Sequence, residues 1–288
     1  LQGFIPKYGH ELTELTPETV VNVHEHGGSI LGSSRGPQDI ETIIDSLERL
    51  NVGILFMIGG DGTLTAATRI AETVLKRNLK ISIVGVPKTI DNDIHMVSRS
   101  FGFDTAVDVA TQAIRGAHNE AEGYPNGIGL IKLMGRHSGF IAATATLAKQ
   151  DVNFVLIPEI AIDLEGPSGL LQKLEERLKQ RGHAVIVVAE GALQECFEDE
   201  QTTRDASGNV KLHDVGLFLR DRITQLVLGL FLATFVFALV VLMALGGDEG
   251  PVLVPMLSIS LAVASTIASF IADHLTWHAR ALLGPLQP

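Results

Sequence analysis

Short apolar runs alternate with amphipathic segments through the first 222 residues of the chain. The apolar runs are rich in β-branched residues and predict buried strands, whereas the amphipathic segments repeat apolar residues at helical spacing. The predicted strands are 29–31, 52–58, 81–86, 127–133, 154–157 and 184–189. The predicted helices begin near residues 16, 39, 64, 105, 140 and 168. This order predicts an α/β fold with a mostly parallel, doubly wound sheet that helices cover on both faces.

The pattern changes after residue 222. Segments 224–245 and 251–272 contain no Asp, Glu, Lys or Arg. Each is long enough to cross a hydrocarbon core of about 30 Å. The acidic turn 246–249 separates them, and arginines flank them, so both ends of this hairpin would lie in the cytoplasm. We therefore expect a domain over 1–222 and a two-span membrane segment over 223–288; the alternative is a buried helical pair in a soluble protein.

The overall composition narrows the classes of partner. The formal net charge of −11 argues against a nucleic-acid partner, because such surfaces are basic. The single cysteine, Cys196, rules out an internal disulfide and is interpreted as structural. No N-terminal signal peptide is evident, and the chain does not begin with Met, so we expect a fragment or a processed form.

The glycine-rich stretch 59–63 follows the second long apolar run and leads into a predicted helix. Glycines permit close approach and positive φ, and backbone N–H groups at a helix N-terminus can bind an anion. Asp61 would repel a phosphate unless a cation lay between them, so the stretch indicates a nucleotide bound through Mg²⁺. It is not a P-loop sequence. The plainer alternative is a tight βα turn with an exposed Asp.

Other polar residues also follow predicted strands, where ligands of parallel sheets bind. Asp91 and Asp93 are close enough in sequence for one to hold a metal while the other handles a proton. Lys88 and Arg136 are cations that could neutralise a transferring phosphoryl group, and Thr89 offers a hydroxyl. Together these residue types suit phosphoryl transfer to a hydroxyl. Alternatively, Thr89 and Asp91 cap the next element and Arg136 pairs with a surface carboxylate.

Three stretches in this order resemble the central signatures of the 6-phosphofructokinase family. They are Gly-Gly-Asp-Gly-Thr at 59–63, Pro-Lys-Thr-Ile-Asp-Asn-Asp at 87–93 and Met-Gly-Arg-His-Ser-Gly at 134–139. The loop 31–35 and the strand ends 158–159 and 190–191 occur in the matching order. The resemblance covers about residues 1–222.

The resemblance implies Mg²⁺-dependent transfer of the γ-phosphoryl group of ATP to the 1-hydroxyl of fructose 6-phosphate, a glycolytic reaction. It implies nucleotide contacts at Arg35, Gly60, Asp61, Gly62 and Thr63. It implies metal binding by Asp61 and Asp93, and catalysis by Asp91, as the base, with Lys88 and Arg136. It implies sugar-phosphate contacts at Thr89, Asp91, Met134, Gly135, Arg136 and Glu190. It also implies a homo-oligomer if the full kinase is present, and a cytoplasmic kinase domain, which the hairpin would tether to the inner face of a membrane.

The phosphoryl donor depends on Gly62 and Lys88. Lys88 is the form shared with the pyrophosphate-using branch of the family, whereas Gly62 is the ATP-like form. Gly62 leaves room for the α-phosphate region of a nucleotide, where an Asp would interfere by bulk and charge. The combination resembles plant-like and protist-like ATP enzymes, so we expect ATP.

The chain also departs from the family. The family's first strand and its Gly-rich phosphate loop are expected upstream of Leu1, and further sequence is expected after residue 222. Gly127 stands where bacterial enzymes place an Arg. The tail resembles a predicted membrane-protein family of unknown function. We therefore expect residues 1–288 alone to be weakly active or inactive; the alternatives are a lipid or NAD kinase with the same glycine loop, or a non-catalytic fragment or fusion.

Overall fold

The computed structural model describes residues 2–10, 12–25, 29–34, 36–197, 203–204 and 210–245. These residues form two compact units. The first takes in the described residues up to Ala106 and those between 203 and 211. The second takes in the described residues from Val107 to 197 and from Leu212 onward.

The first unit is built on two parallel strands and two helices. Helix α1 spans Ile40–Arg49, β1 Ile54–Gly59, α2 Asp61–Lys76 and β2 Ser82–Pro87. Helix α1 begins where it does because the Asp39 carboxylate accepts a hydrogen bond of 2.9 Å from the Thr42 N–H. The two helices pack on one face of the strand pair, and the buried side chains there include Ile43, Ile44, Leu47, Leu55, Met57, Ile70 and Val74.

The second unit contains a three-stranded parallel sheet. Helix α3, Phe103–Gly123, leads into it and is followed by β3 Gly127–Leu133, α4 Phe140–Ala148, β4 Phe154–Leu156, α5 Leu170–Arg181, β5 His183–Ala189 and α6 Val215–Leu245. The strand order is β3-β5-β4, so β5 is central, and its residues after the first are buried.

Cys196 packs against the core of this unit, and burial raises the pKa of its thiol, which suits a structural role.

The α/β class and the parallel pairing predicted from the sequence are confirmed. The prediction of a single sheet is wrong for the described residues, because their strands form two separate sheets. The prediction that helices cover both faces of the sheet is also wrong for β1, because its buried and exposed residues alternate and only one face is buried. Residues 30 and 31 form a turn instead of a strand, and the region after Thr16 forms turns and one short 3-10 helix, Val23–Glu25.

Helix α6 crosses the predicted domain boundary at 222 and 223 without a break. Its first turns belong to the second unit, because Val215, Leu219 and Ile223 are buried in the core of that unit. Within the described part of the chain, none of the helices combines the length and apolar character needed to cross a membrane. The predicted turn 246–249 and second span 251–272 lie outside the described residues. The membrane hairpin, and the membrane tether that depended on it, are therefore not supported.

Candidate active site

The turn between β1 and α2 holds the first candidate motif. Strand β1 ends at Gly59, Gly60 is the N-cap with φ −81° and ψ −164°, and α2 begins at Asp61, three residues earlier than predicted. A Cβ atom on Gly59 would lie 2.3 Å from Oγ1 of Thr63. Glycine is thus required for close approach to the first helical turn. Gly59, Gly60 and Gly62 do not have a positive φ.

The start of α2 is suited to an anion. The N–H groups of Thr63 and Leu64 donate to the Gly60 carbonyl at 2.9 and 3.1 Å, which begins the helix. The helix is 16 residues long, and its dipole places partial positive charge at this end. Asp61 is exposed there, and a Cβ atom on Gly62 would meet nothing within 4 Å. The first turn therefore combines the positive end of the helix dipole with one exposed carboxylate and open space.

The second candidate motif lies directly beside the first. Strands β1 and β2 pair so that Gly59 is opposite Pro87, and the Lys88 N–H donates to the Gly59 carbonyl at 2.8 Å. A Cβ atom on Gly60 would lie 3.7 Å from the Lys88 carbonyl and from Cβ of Thr89. Parallel pairing of β1 and β2 therefore brings the two motifs to one edge of this strand pair.

Two side chains hold the loop that carries Asp91. Asn92 has a left-handed backbone, with φ 54°, and its Oδ1 accepts a 2.8 Å hydrogen bond from the Ser100 N–H. The buried Ser100 hydroxyl donates to the Thr89 carbonyl at 2.7 Å. Asp91 is half-buried in this loop, and Asp93 is exposed. The sequence analysis missed Ser100; the only local signal was the Asn between two aspartates, since Asn tolerates a left-handed backbone.

The third candidate motif follows β3 in the second unit. Gly135 has φ 132°, and a Cβ atom there would lie 2.3 Å from the Ser138 carbonyl oxygen, so a tight turn requires glycine. The Glu190 N–H donates to the Leu133 carbonyl at 2.9 Å, and the Gly191 N–H donates to the Gly135 carbonyl at 3.0 Å. The end of β5 is thus attached to the loop that carries Arg136.

Glu159 and Gln194 support this loop and the end of β5. Oε1 of Glu159 accepts a 2.7 Å hydrogen bond from the Gly139 N–H, at the start of α4. Nε2 of Gln194 donates to the Glu190 carbonyl at 3.0 Å, and its Oε1 accepts from the His213 N–H at 3.1 Å. The sequence analysis missed Gln194, because nothing in its neighbourhood marks it as more than a polar loop residue.

The candidate residues therefore form two sets, one in each unit. The first unit carries Gly60, Asp61, Gly62, Thr63, Lys88, Thr89, Asp91 and Asp93. The second carries Met134, Gly135, Arg136 and Glu190. Lys88 and Met134 are exposed, whereas Arg136 and Glu190 are half-buried. Arg35 lies outside the described residues.

A family model described as Phosphofructokinase matches residues 1–229, a span that contains all three motifs. The chain belongs to the phosphofructokinase family. The predicted family is thereby confirmed. A second model, described as Predicted membrane protein (DUF2254), matches residues 214–272 and confirms the resemblance of the tail. The two matches overlap over residues 214–229, which are Asp214 and the first half of α6.

Curated phosphofructokinase relatives are similar over most of the chain. An ATP-dependent 6-phosphofructokinase of Borreliella burgdorferi is 50% identical over 230 residues, which cover 78% of this chain and 52% of the relative. ATP-dependent 6-phosphofructokinase 1 of Arabidopsis thaliana is 49% identical, with 77% and 48% covered. An ATP-dependent 6-phosphofructokinase of Trypanosoma cruzi is 47% identical, with 77% and 45% covered. The chain spans about half the length of these relatives.

Solved structures agree on the fold. A pyrophosphate-dependent phosphofructokinase from Marinobacter aquaeolei matches with a TM-score of 0.55 and 25% identity, covering 69% of this chain and 47% of that one. Pichia pastoris phosphofructokinase in the T-state matches with a TM-score of 0.57 and 20% identity, covering 74% of this chain and 23% of that one. At 20% identity, the similarity to the Pichia pastoris structure shows a shared fold and nothing more.

Proposed function

We propose that this chain contributes to ATP-dependent 6-phosphofructokinase activity, in which the γ-phosphoryl group of ATP is transferred to the 1-hydroxyl of fructose 6-phosphate. The observation that carries the proposal is the attachment of the Lys88–Asp93 loop to the glycine turn at the start of α2. That attachment consists of the 2.8 Å hydrogen bond from Lys88 to Gly59 and the contact distance between Gly60 and Thr89. This attachment supports a site in which the turn at the start of α2 binds phosphate and the neighbouring loop supplies Asp91 as the base.

In the first unit, the start of α2 would bind the nucleotide phosphates. Gly60, Gly62 and Thr63 would contribute through the backbone and the Thr hydroxyl, aided by the helix dipole. The exposed carboxylates of Asp61 and Asp93 suit Mg²⁺, which prefers oxygen ligands and is commonly held by one or two carboxylates together with substrate phosphates. When bound, Mg²⁺ would offset the negative charge of the phosphates. Arg35 remains a proposed nucleotide contact from the family resemblance.

Asp91 would accept the proton of the sugar hydroxyl. Its loop is fixed by two hydrogen bonds, from the Ser100 N–H to Oδ1 of Asn92 and from the Ser100 hydroxyl to the Thr89 carbonyl, which hold the chain on either side of it. Such fixing favours a base because it limits the positions that the carboxylate can take before reaction. Lys88 and Thr89 precede it on the same segment and would contact the transferring phosphoryl group and the substrate.

In the second unit, the residues that follow β3 and β5 would bind the sugar phosphate. Arg136 supplies a guanidinium group that suits a phosphate, and its loop is held by Gly191 and Glu159. Met134, Gly135 and Glu190 would complete this set of contacts. A homo-oligomer of the full kinase remains a prediction from the family resemblance. Low steady-state turnover by residues 1–288 alone remains a prediction from the family segments expected upstream of Leu1 and after residue 222.

ATP is favoured over pyrophosphate as the donor by two observations. The relatives with 46–50% identity are named as ATP-dependent enzymes. A side chain at Gly62 would project into open space, so this position leaves room for more of the nucleotide than its terminal phosphates.

Gly62→Asp would place negative charge in that space and is expected to weaken ATP binding at least about tenfold. Gly62→Ala is the matched control, since its methyl group meets nothing and should leave ATP binding nearly unchanged.

A single-turnover assay tests the proposal even if steady-state turnover is low. The full chain, in excess over γ-labelled ATP, is mixed with Mg²⁺ and fructose 6-phosphate, and labelled sugar bisphosphate is separated over time. We expect label to be transferred from ATP, with less transfer when labelled pyrophosphate replaces it. A folded chain that binds both ligands but transfers no label would contradict the reaction, and failure to bind Mg²⁺–ATP would contradict the nucleotide assignment.

A further inference from the structure

A second group of potential ligands lies at the opposite end of the sheet in the second unit. His183 is the first residue of β5, whereas Glu190 follows the last residue of the same strand. His118 and Glu122 lie one turn apart near the end of α3. This His118–Glu122–His183 cluster takes no part in the reaction proposed above.

Two glycines of β3 explain why the cluster forms. A Cβ atom on Gly127 would lie 2.2 Å from the Ala121 carbonyl oxygen, and one on Gly129 would lie 2.9 Å from the Ala117 carbonyl oxygen. Helix α3 therefore lies directly against the beginning of β3. Because Gly127 is opposite His183 in the parallel register, the His183 side chain reaches the adjoining turn of α3. The same packing gives Gly127 a structural role here.

The three side chains are close enough to share one ion. Nε2 of His118 is 3.5 Å from Oε2 of Glu122, and Nε2 of His183 is 4.0 Å from Oε1 of Glu122. The two imidazole rings meet edge to face, with their centroids 5.5 Å apart. One ligand atom from each residue can be chosen so that all three lie within 4.8 Å of one another. Among the described residues, this is the one such group of three or more.

The two histidine rings present Nε2 to the same carboxylate and are held in place by their surroundings. Nδ1 of His118, on the other side of its ring, is buried and has no hydrogen-bond partner among the described residues. Both histidine side chains are mostly covered, with 17% and 20% of their area exposed, so their positions are fixed by packing. Glu122 is 54% exposed and can adjust to an incoming ligand.

We propose that His118, Glu122 and His183 bind a transition-metal ion, with Zn²⁺ as the best match. Two imidazoles and one carboxylate are typical zinc ligands at about 2.0–2.2 Å, and ligands of a tetrahedral ion lie roughly 3.4 Å apart. The present spacing, up to 4.8 Å, therefore needs a contraction of at most about 1.4 Å. Three protein ligands leave a fourth position for water. The ion would join the end of α3 to the beginning of β5 and stabilise the second unit.

Titration of the full chain with Co²⁺ and Zn²⁺ tests the site without any assay of turnover. Excess Mg²⁺ is present throughout so that exposed carboxylates such as Asp61 and Asp93 are occupied. The wild-type chain is expected to bind one Co²⁺ with the visible absorption of tetrahedral coordination, and Zn²⁺ is expected to displace it. Zn²⁺ should also raise the midpoint of thermal unfolding by roughly 5 °C at a hundredfold excess over its dissociation constant.

Three variants and one control decide the assignment. His118→Ala, His183→Ala and Glu122→Gln should each weaken Co²⁺ binding at least about tenfold and remove most of the Zn²⁺-dependent rise in unfolding temperature. Glu122→Gln is the safest of these because the side chain is largely exposed and its loss should not prevent folding. His10→Ala, at an exposed residue outside the cluster, should bind metal like the wild type. No Co²⁺ binding by the wild type, or equal binding by folded Glu122→Gln, would overturn the proposal.

Discussion

The Gly139 N–H donates a 2.7 Å hydrogen bond to Oε1 of Glu159. Glu159 belongs to the strand end 158–159, which the sequence places in the order of the phosphofructokinase family. In the structure its carboxylate accepts from the N-cap residue of α4, the helix that follows the Arg136 loop. A carboxylate at a helix N-terminus is favourable in the helix dipole, so Glu159 fixes where the loop ends and the helix begins.

We expect Glu159→Ala to destabilise the second unit by about 1 kcal/mol, the usual effect of losing a helix cap. It should also weaken binding of fructose 6-phosphate, because the Arg136 loop is no longer fixed at its end. Denaturant unfolding and equilibrium binding of the sugar phosphate measure the two effects. Glu159→Gln keeps an acceptor oxygen and should restore most of both. If Gln and Ala variants behave alike, the hydrogen bond is not what positions the loop.

Gly191 tolerates no side chain, because a Cβ atom there would lie 1.8 Å from the Arg136 carbonyl oxygen. Gly191→Ala must move either the end of β5 or the Arg136 loop. We expect a loss of at least about 2 kcal/mol in the free energy of unfolding, within the range for overpacking a well-packed region. The measurement is chemical denaturation followed by circular dichroism.

Gly116→Ala is the matched control for that substitution. Gly116 lies inside α3, and an added Cβ atom would meet nothing within 4 Å. Alanine has a better helix propensity than glycine, so this variant should be about 0.5–1 kcal/mol more stable than the wild type. Equal destabilisation by both substitutions would contradict the close contact between Gly191 and Arg136.

The sequence predicted the local elements better than the assembly of the sheets. Apolar, β-branched runs identified both strands of the first unit because burial and strand propensity act along a few consecutive residues. The division into two sheets depends on which strands pair, and that depends on contacts between distant segments. The same limit applies to α6, where composition marked a change near residue 222 but could not show that Val215, Leu219 and Ile223 share the core of the second unit.

The residues of the candidate site were also predictable only where the signal is local in the sequence. Asp91 and Arg136 could be selected from sequence because their residue types and neighbours suit phosphoryl transfer. Ser100 and Gln194 could not, because each acts through backbone groups that the chain brings close only after folding. Their role is to hold loops, and such a role leaves little trace in residue type.

Asp91→Asn should abolish single-turnover transfer while Mg²⁺–ATP binding is retained. The amide occupies the same space but cannot accept the hydroxyl proton, and loss of a general base typically lowers a rate by about 10²–10⁴-fold. Asp108→Asn, at an exposed residue of α3, is the control and should react at the wild-type rate. The measurement is transfer from γ-labelled ATP, with nucleotide binding followed separately. Undiminished transfer by a folded Asp91→Asn chain would remove Asp91 from the role of base.

Asp214 connects the beginning of α6 to the edge of the second sheet. Its Oδ1 accepts from Lys132 Nζ at 2.8 Å and from the N–H groups of Gly216 and Leu217 at 3.0 and 3.2 Å. Burial opposes ionisation of this carboxyl, but the hydrogen bonds from Lys132 and the helix N–H groups outweigh it, so the pKa of Asp214 lies below its ordinary value. The ionised form is therefore favoured more in the folded than in the unfolded chain.

The consequence for stability has a definite sign. The contribution of Asp214 is fully present above the unfolded pKa of about 3.9 and is lost as the pH falls through the lower pKa of the folded chain. We expect Asp214→Ala to lower the free energy of unfolding by about 1 kcal/mol at pH 7, the usual effect of losing a helix cap at a side chain that is partly exposed. The difference from the wild type should shrink as the pH falls below about 4. Urea denaturation across this range measures it, with Asp221→Ala as a control at another carboxyl of α6; a difference that stays constant with pH would show that ionisation of Asp214 contributes nothing.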